Sequence, residues 1–153
     1  MYPKNETDQS FSYLKKVVST LEEPICLIGG WAVYLTVNKQ YKAAMKKNYL
    51  GSRDIDLEFH LQEDTVLENS AFSKAMKKLE EEGFAHVSGR MVKELDWDTG
   101  EELSKEEAKR KAPFEINMMY VDLMVDFAPS AMKKQGFVFD EPLLNHVFQG
   151  KEN

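Results

Sequence analysis

"YLGSRDIDLEFH", residues 49–60, decides how this chain reads. After the Gly51-Ser52 break, acidic and apolar residues alternate. In a strand over 54–60, Asp54, Asp56 and Glu58 share one face, and Ile55, Leu57 and Phe59 share the other. Aspartate is disfavoured in strands, so two at a strand's opening need a reason. Two reasons are available: a solvated outer face, or half of a metal site.

The same pattern returns downstream. "YVDLMVDF" (120–127) sets Asp122, Met124 and Asp126 on one face of a strand and Val121, Leu123, Val125 and Phe127 on the other. If the two strands are neighbours, three or four carboxylates converge on one patch of sheet. Close like charges do not all stay ionised without a cation between them. Hard oxygen ligands in that number suit Mg²⁺ or Mn²⁺, and Mg²⁺ usually works together with substrate phosphates. Upstream, the apolar run "ICLI" (25–28) ends in Gly29-Gly30 and continues as "WAVYLTVN", a strand running into a helix that starts near Gly30. Free N–H groups at a helix start attract phosphate, and glycine lets it approach closely. Carboxylates for metals and a helix start for a triphosphate are the parts of two-metal phosphoryl or nucleotidyl transfer.

The rest of the chain supplies a frame. Ser10 reads as an N-cap, with Phe11, Leu14, Val17, Val18 and Leu21 at helical spacing up to Pro24. "NSAFSKAMKKLEEEG" (69–83) reads as a helix capped at Asn69 or Ser70 and stopped by Gly83. "FAHVSGRMVKELDW" (84–97) is one strand, or two divided at Gly89. "SKEE" (104–107) has the spacing of a capping box for a short helix over 105–111. Beyond Pro129 the pattern weakens to "SAMKKQG", "FVF" and "EPLLNHVF", the last a helical turn or two. The order predicts an α/β (α+β) layer fold, a small mixed sheet with helices on one face. A single domain over 1–153 is expected, with its core at about 10–127 and a short extension at 128–153.

Composition sets the outer limits. Apolar residues make up 42% of the chain, which is enough for a real core. The net charge of −6 argues against broad non-specific nucleic-acid binding. No apolar run approaches the ~20 residues that span a bilayer, and "MYPKNETDQS" is no signal peptide, so no membrane partner and a cytoplasmic location are expected. The single cysteine, Cys26, reads as a buried small hydrophobe. His60, His86 and His146 are scattered, with no zinc-ligand spacing among them.

Taken together, "IGGWAVYL", "GSRDIDLEF" and "YVDLMV" resemble the nucleotidyltransferases of the DNA polymerase β-like superfamily. The Gly-Gly-Trp-Ala form is similar to the branch with antibiotic nucleotidyltransferases and abortive-infection-type toxins. The resemblance covers residues 25 to about 127 and implies a nucleotidyltransferase-like fold. It implies that Asp54, Asp56 and Asp122 are catalytic and hold Mg²⁺ or Mn²⁺, and that Gly29 and Gly30 cradle the triphosphate. Ser52 and Arg53 are further nucleotide-binding candidates, although Ser52 reads more readily as a loop end, and Arg53 equally as a surface or ion-paired arginine facing away from Asp54. Asp126 stands as the substitute for Asp122. The implied activity moves a nucleoside monophosphate from an NTP donor to an unknown acceptor, which is a small molecule, a protein or an RNA.

Three departures accompany the resemblance. The segment from Gly30 to Asp54 is longer than in compact members. Trp31 replaces a serine after Gly30. Little chain follows Phe127, where a helical domain often helps to bind the acceptor. The Gly30–Asp54 insert and the segment 96–113 are therefore expected to wall the acidic cleft. Two other classes compete: a catalytically incomplete nucleotide-binding or antitoxin-type subunit that works with a protein partner or as a homo-oligomer, and a metal-dependent nuclease or phosphatase. The nuclease reading leaves Gly29-Gly30 unexplained. Arg90, Lys93 and the run "KEEAKRK" (105–111) read as solvated charges rather than phosphate or RNA contacts. Trp31 and Met118, Met119 and Met124 read as core.

Overall fold

The computed structural model describes residues 4–134. In chain order the elements are α1 (Lys4–Thr20), β1 (Cys26–Ile28), α2 (Gly29–Met45), β2 (Ile55–Phe59), α3 (Ala71–Glu81), β3 (Ala85–Val87), β4 (Arg90–Asp96), α4 (Lys105–Ala108), β5 (Ile116–Val125) and α5 (Ser130–Lys134). Single 3₁₀ turns stand at Leu67–Asn69 and Pro113–Glu115. The fold is mixed α+β, built on one five-stranded sheet of order β1-β2-β5-β4-β3. β2 and β5 pair in parallel, and every other pair is antiparallel.

Alternation fixes which way the sheet faces. Ile55, Leu57 and Phe59 are fully buried, and they pack in one cluster with Met91, Leu95, Met119 and Val121. Leu14 and Val17 of α1, Trp31 of α2 and Phe72, Ala75 and Leu79 of α3 complete that cluster. These helices therefore cover the face opposite the aspartates. A one-residue slip of β2 would expose three large apolar side chains, each stabilising by roughly 1.5–3 kcal/mol, and would bury acids instead. The register is therefore strongly specified.

Local signals account for most element ends. The Ser70 hydroxyl accepts from the Ser73 N–H and caps α3. Ser88 and Gly89 both have positive φ (49° and 81°), as a two-residue hairpin turn requires, and they split 84–97 into two strands. Ser104 and Glu107 form the capping box of α4. That helix stops at Ala108 rather than running to 111, because the Arg110 and Lys111 N–H groups bond three residues back, to Glu107 and Ala108.

Four expectations are corrected. Helix α1 begins six residues before Ser10, so Ser10 is no cap. Its hydroxyl is fully buried and accepts from the Trp31 indole N–H at 2.9 Å, a tertiary role that local sequence does not show. Cys26 is exposed, because it lies opposite Glu58 on an edge strand and so on the face the helices leave open. Lys93 is not solvated. Its side chain is 1% exposed, with Nζ bonded to Glu102 at 2.8 Å, to the Glu82 carbonyl, and 4.8 Å over the Phe84 ring. Arg90 is not a free surface charge either, as the site below shows. The readings of "FVF" and "EPLLNHVF" lie outside the described residues.

Candidate active site

The parallel pairing of β2 with β5 sets Asp56 directly beside Asp122. Cross-strand neighbours share a face, so both carboxylates rise from the side of the sheet that the helices do not cover. Asp54 belongs to the bend just before β2, and it joins them through Arg90. One guanidinium nitrogen, Nη2, donates to Asp54 Oδ2 at 2.9 Å and to Asp122 Oδ2 at 2.6 Å, while Nε donates to Asp122 Oδ1 at 2.6 Å. The carboxylates of Asp54 and Asp122 thus touch the same nitrogen.

The Gly-Gly turn closes on this group. Gly29 has φ +65°, and a Cβ there would stand 2.9 Å from the Asp56 Cγ and closer still to its Oδ2. Only glycine combines that conformation with so close an approach. A Cβ on Gly30 would meet the Ser52 Cβ and Oγ, both at 2.8 Å. The start of α2 is therefore pressed against the acidic patch on one side and the 51–54 bend on the other. Ile28 offers the helix no side-chain cap, and the first-turn N–H groups of a helix have no partner within the helix itself.

Charge is unevenly held. Burial comes first in pushing the Asp56 carboxyl above its usual range, followed by repulsion from Asp122 and Asp54; Arg90 acts the other way. A protonated Asp56 is placed to hydrogen-bond Asp122. The Arg90 guanidinium is held firmly cationic by its bonds to Asp122 and then to Asp54. It also lies 4.1 Å over the Tyr120 ring, a cation–π contact.

The structure places the other candidates as follows. Ser52 lies against Gly30. Arg53 does not face away from Asp54: its Nε is 3.3 Å from Asp54 Oδ1 and its guanidinium carbon is 5.8 Å from the Tyr120 ring centre. Strand alternation fails there because residues 53–54 form a bend. Asp126 is engaged elsewhere, accepting from the Leu61 N–H at 3.0 Å and paired with His60. The third carboxylate beside Asp56 is Asp122. The segment 96–113 does not wall this patch. Asp96 pairs with Ile116, six residues from Asp122 and so roughly 20 Å along the strand. Part of the Gly30–Asp54 insert does border the patch through Ser52 and Arg53. Its residues 48–51 also wall a cavity of about 600 Å³ with Phe11, Trp31 and Tyr34. In "KEEAKRK", Lys111 pairs with Asp96 at 2.7 Å and Lys109 with Glu106 at 2.9 Å.

The donor set matches the chemistry of a hard divalent cation: three carboxylates, repelling one another, beside uncapped helix N–H groups. In the present arrangement no group of three or more acidic, histidine or cysteine side chains among the described residues is set out around a metal position. The cation between Asp54 and Asp122 is Arg90. Sequence reading missed both Arg90 and Tyr120 as members of the site. Their signal is the register: Met91 pairs with Val121, so the next step along the antiparallel pair brings Arg90 against Asp122.

Neither a family model, nor a curated protein, nor a solved structure matches the chain.

Proposed function

We propose that this chain is a metal-dependent nucleotidyltransferase that moves a nucleoside monophosphate from an NTP to an acceptor hydroxyl or amine. One observation carries the reading: Asp56 and Asp122 stand side by side with the Gly29 backbone against Asp56. Carboxylates beside the start of a helix are what a metal–triphosphate complex would require, and this supports the reading. Asp54, Asp56 and Asp122 are the residues to hold Mg²⁺ or Mn²⁺, which when bound neutralises the triphosphate and acidifies the acceptor. Gly29 and Gly30 receive phosphate oxygens on their backbone. Asp122 accepts the acceptor's proton as the acceptor oxygen or nitrogen bonds to the α-phosphorus and the bond to pyrophosphate breaks.

Incubating the protein with labelled NTPs, Mg²⁺ or Mn²⁺ and a cell extract tests this. Transfer of label to an acceptor, lost in Asp56→Ala, is the expected result. Absence of transfer under every NTP overturns it as an enzyme.

A second reading, a nucleotide-binding subunit without its own chemistry, is favoured by the Arg90 fork, which already engages both oxygens of Asp122. NTP binding that depends on Asp56 but leads to no transfer would support that subunit instead.

A further inference from the structure

Arg90 stands where the proposed site needs a different cation. Both of its bonds to Asp122 and its bond to Asp54 use carboxylate oxygens on the open side of the sheet. Its side chain is 33% exposed, and it is the first residue after the Ser88–Gly89 turn, so it can swing away without disturbing the core. The Tyr120 ring under the guanidinium gives it a surface to pivot on. The charged groups facing it are Asp54 and Asp122, with Asp56 beside them and Arg53 5.8 Å from the centre of the same ring and bonded to the same Asp54. If Arg90 left the aspartates alone, an unpaired cation would sit next to Arg53, which is unfavourable. A polyphosphate arriving at Gly29-Gly30 removes that difficulty, because a planar guanidinium pairs with phosphate as readily as with carboxylate.

We infer that Arg90 is a displaceable internal cation, holding Asp54 and Asp122 in the free protein and turning to the triphosphate when a metal–triphosphate complex binds. The inference rests on the nucleotidyltransferase reading of the site. Its consequence is that metal and triphosphate load together: each strengthens the other's binding because only both together displace and then re-pair Arg90.

Titration of Mn²⁺ with the free ion followed by electron paramagnetic resonance, with and without inorganic triphosphate, tests this. The wild type is expected to bind Mn²⁺ weakly alone and at least roughly tenfold more tightly with triphosphate. Arg90→Gln should bind Mn²⁺ alone roughly tenfold more tightly than the wild type, and triphosphate should add less to it. Arg90→Lys, which keeps the charge without the fork, should fall between them. Equal Mn²⁺ affinity in wild type and Arg90→Gln, abolished by Asp56→Asn, would leave the metal site standing and overturn the role of Arg90. No Mn²⁺ binding in any variant would overturn both. Should Arg90→Gln fail to fold, the Arg90 Nε–H resonance of the wild type decides, identified by its absence from Arg90→Lys. It should move only when Mg²⁺ and triphosphate are both present, and a resonance unmoved by the pair would overturn the inference.

Discussion

Asp56 and Asp122 lie side by side on parallel strands, each pointing away from the helix-covered face, with one guanidinium holding Asp122 from the far side. In the metal-free protein this is a strained charge arrangement, and its strain is measurable. A carboxyl whose folded pKa is raised, as burial and then Asp122 and Asp54 raise that of Asp56, withdraws stability as pH climbs above the unfolded carboxyl range. Asp56→Asn is therefore expected to raise the melting temperature of the metal-free protein at pH 7, by on the order of 1–3 °C. Near pH 3, where the carboxyl is protonated in both states, the gain should vanish. Differential scanning fluorimetry at the two pH values checks it, and a fall at pH 7 would contradict the electrostatic description.

The two glycines of the turn should fail for different reasons. Gly29→Ala forces a side chain into positive φ and against Asp56, and is expected to destabilise by about 1–3 kcal/mol. No second-site change should restore it fully, since the backbone conformation itself is unfavourable. Gly30→Ala collides with the Ser52 side chain only, so Gly30→Ala/Ser52→Gly should recover much of the loss. Urea midpoints of the two singles, Ser52→Gly and the double variant close the cycle.

Ser10 is tied to Trp31 from within α1. Ser10→Ala leaves the buried indole N–H without that acceptor, and is expected to cost about 1–3 kcal/mol. Trp31→Phe in the Ser10→Ala background should lose less than Trp31→Phe alone, because the unpaired donor is gone. Additive losses in chemical denaturation would mean that the bond contributes nothing.

Acid stability should depend on the far end of β4. The Lys111 ammonium, and then the backbone N–H groups of Thr99 and Asp98, hold the Asp96 carboxyl below the usual carboxylate range. A depressed carboxyl contributes stability that is present above its unfolded value and lost as pH falls through the lower folded one. Asp96→Asn should be less stable than the wild type at pH 7, and the difference should narrow below about pH 4. Urea midpoints at pH 7, 4 and 3 check this. Parallel curves would contradict the pairing.

Much of this molecule is legible in its sequence where a local rule decides. The period-2 pattern over 55–59 gives the strand and its two faces. Ser70 gives a helix start, Gly83 a helix end, and Ser88-Gly89 a hairpin. The meeting of Asp56 and Asp122 is legible because both strands alternate acidic and apolar residues, and β2 and β5 pair with those two in register. What could not be read depends on contacts between distant segments. Nothing near Ser10 marks it as a hydrogen-bond acceptor for Trp31, and nothing near Cys26 marks β1 as an edge. Arg90 looks like any surface arginine until the β4–β5 register brings it to Asp122. Lys93 is the reverse case, a charge whose burial is set by Glu102, the Glu82 carbonyl and the Phe84 ring.

In the proposed function, Asp54, Asp56 and Asp122 would hold metal against a triphosphate seated on Gly29-Gly30. Anomalous scattering from crystals soaked with Mn²⁺ and a non-hydrolysable NTP tests it most directly. The expected result is a manganese peak bounded by the three carboxylates, phosphate density at the start of α2, and Arg90 turned from Asp122 to that phosphate. Ordered triphosphate bound elsewhere, with no manganese among the aspartates and the Arg90–Asp122 fork intact, would contradict it.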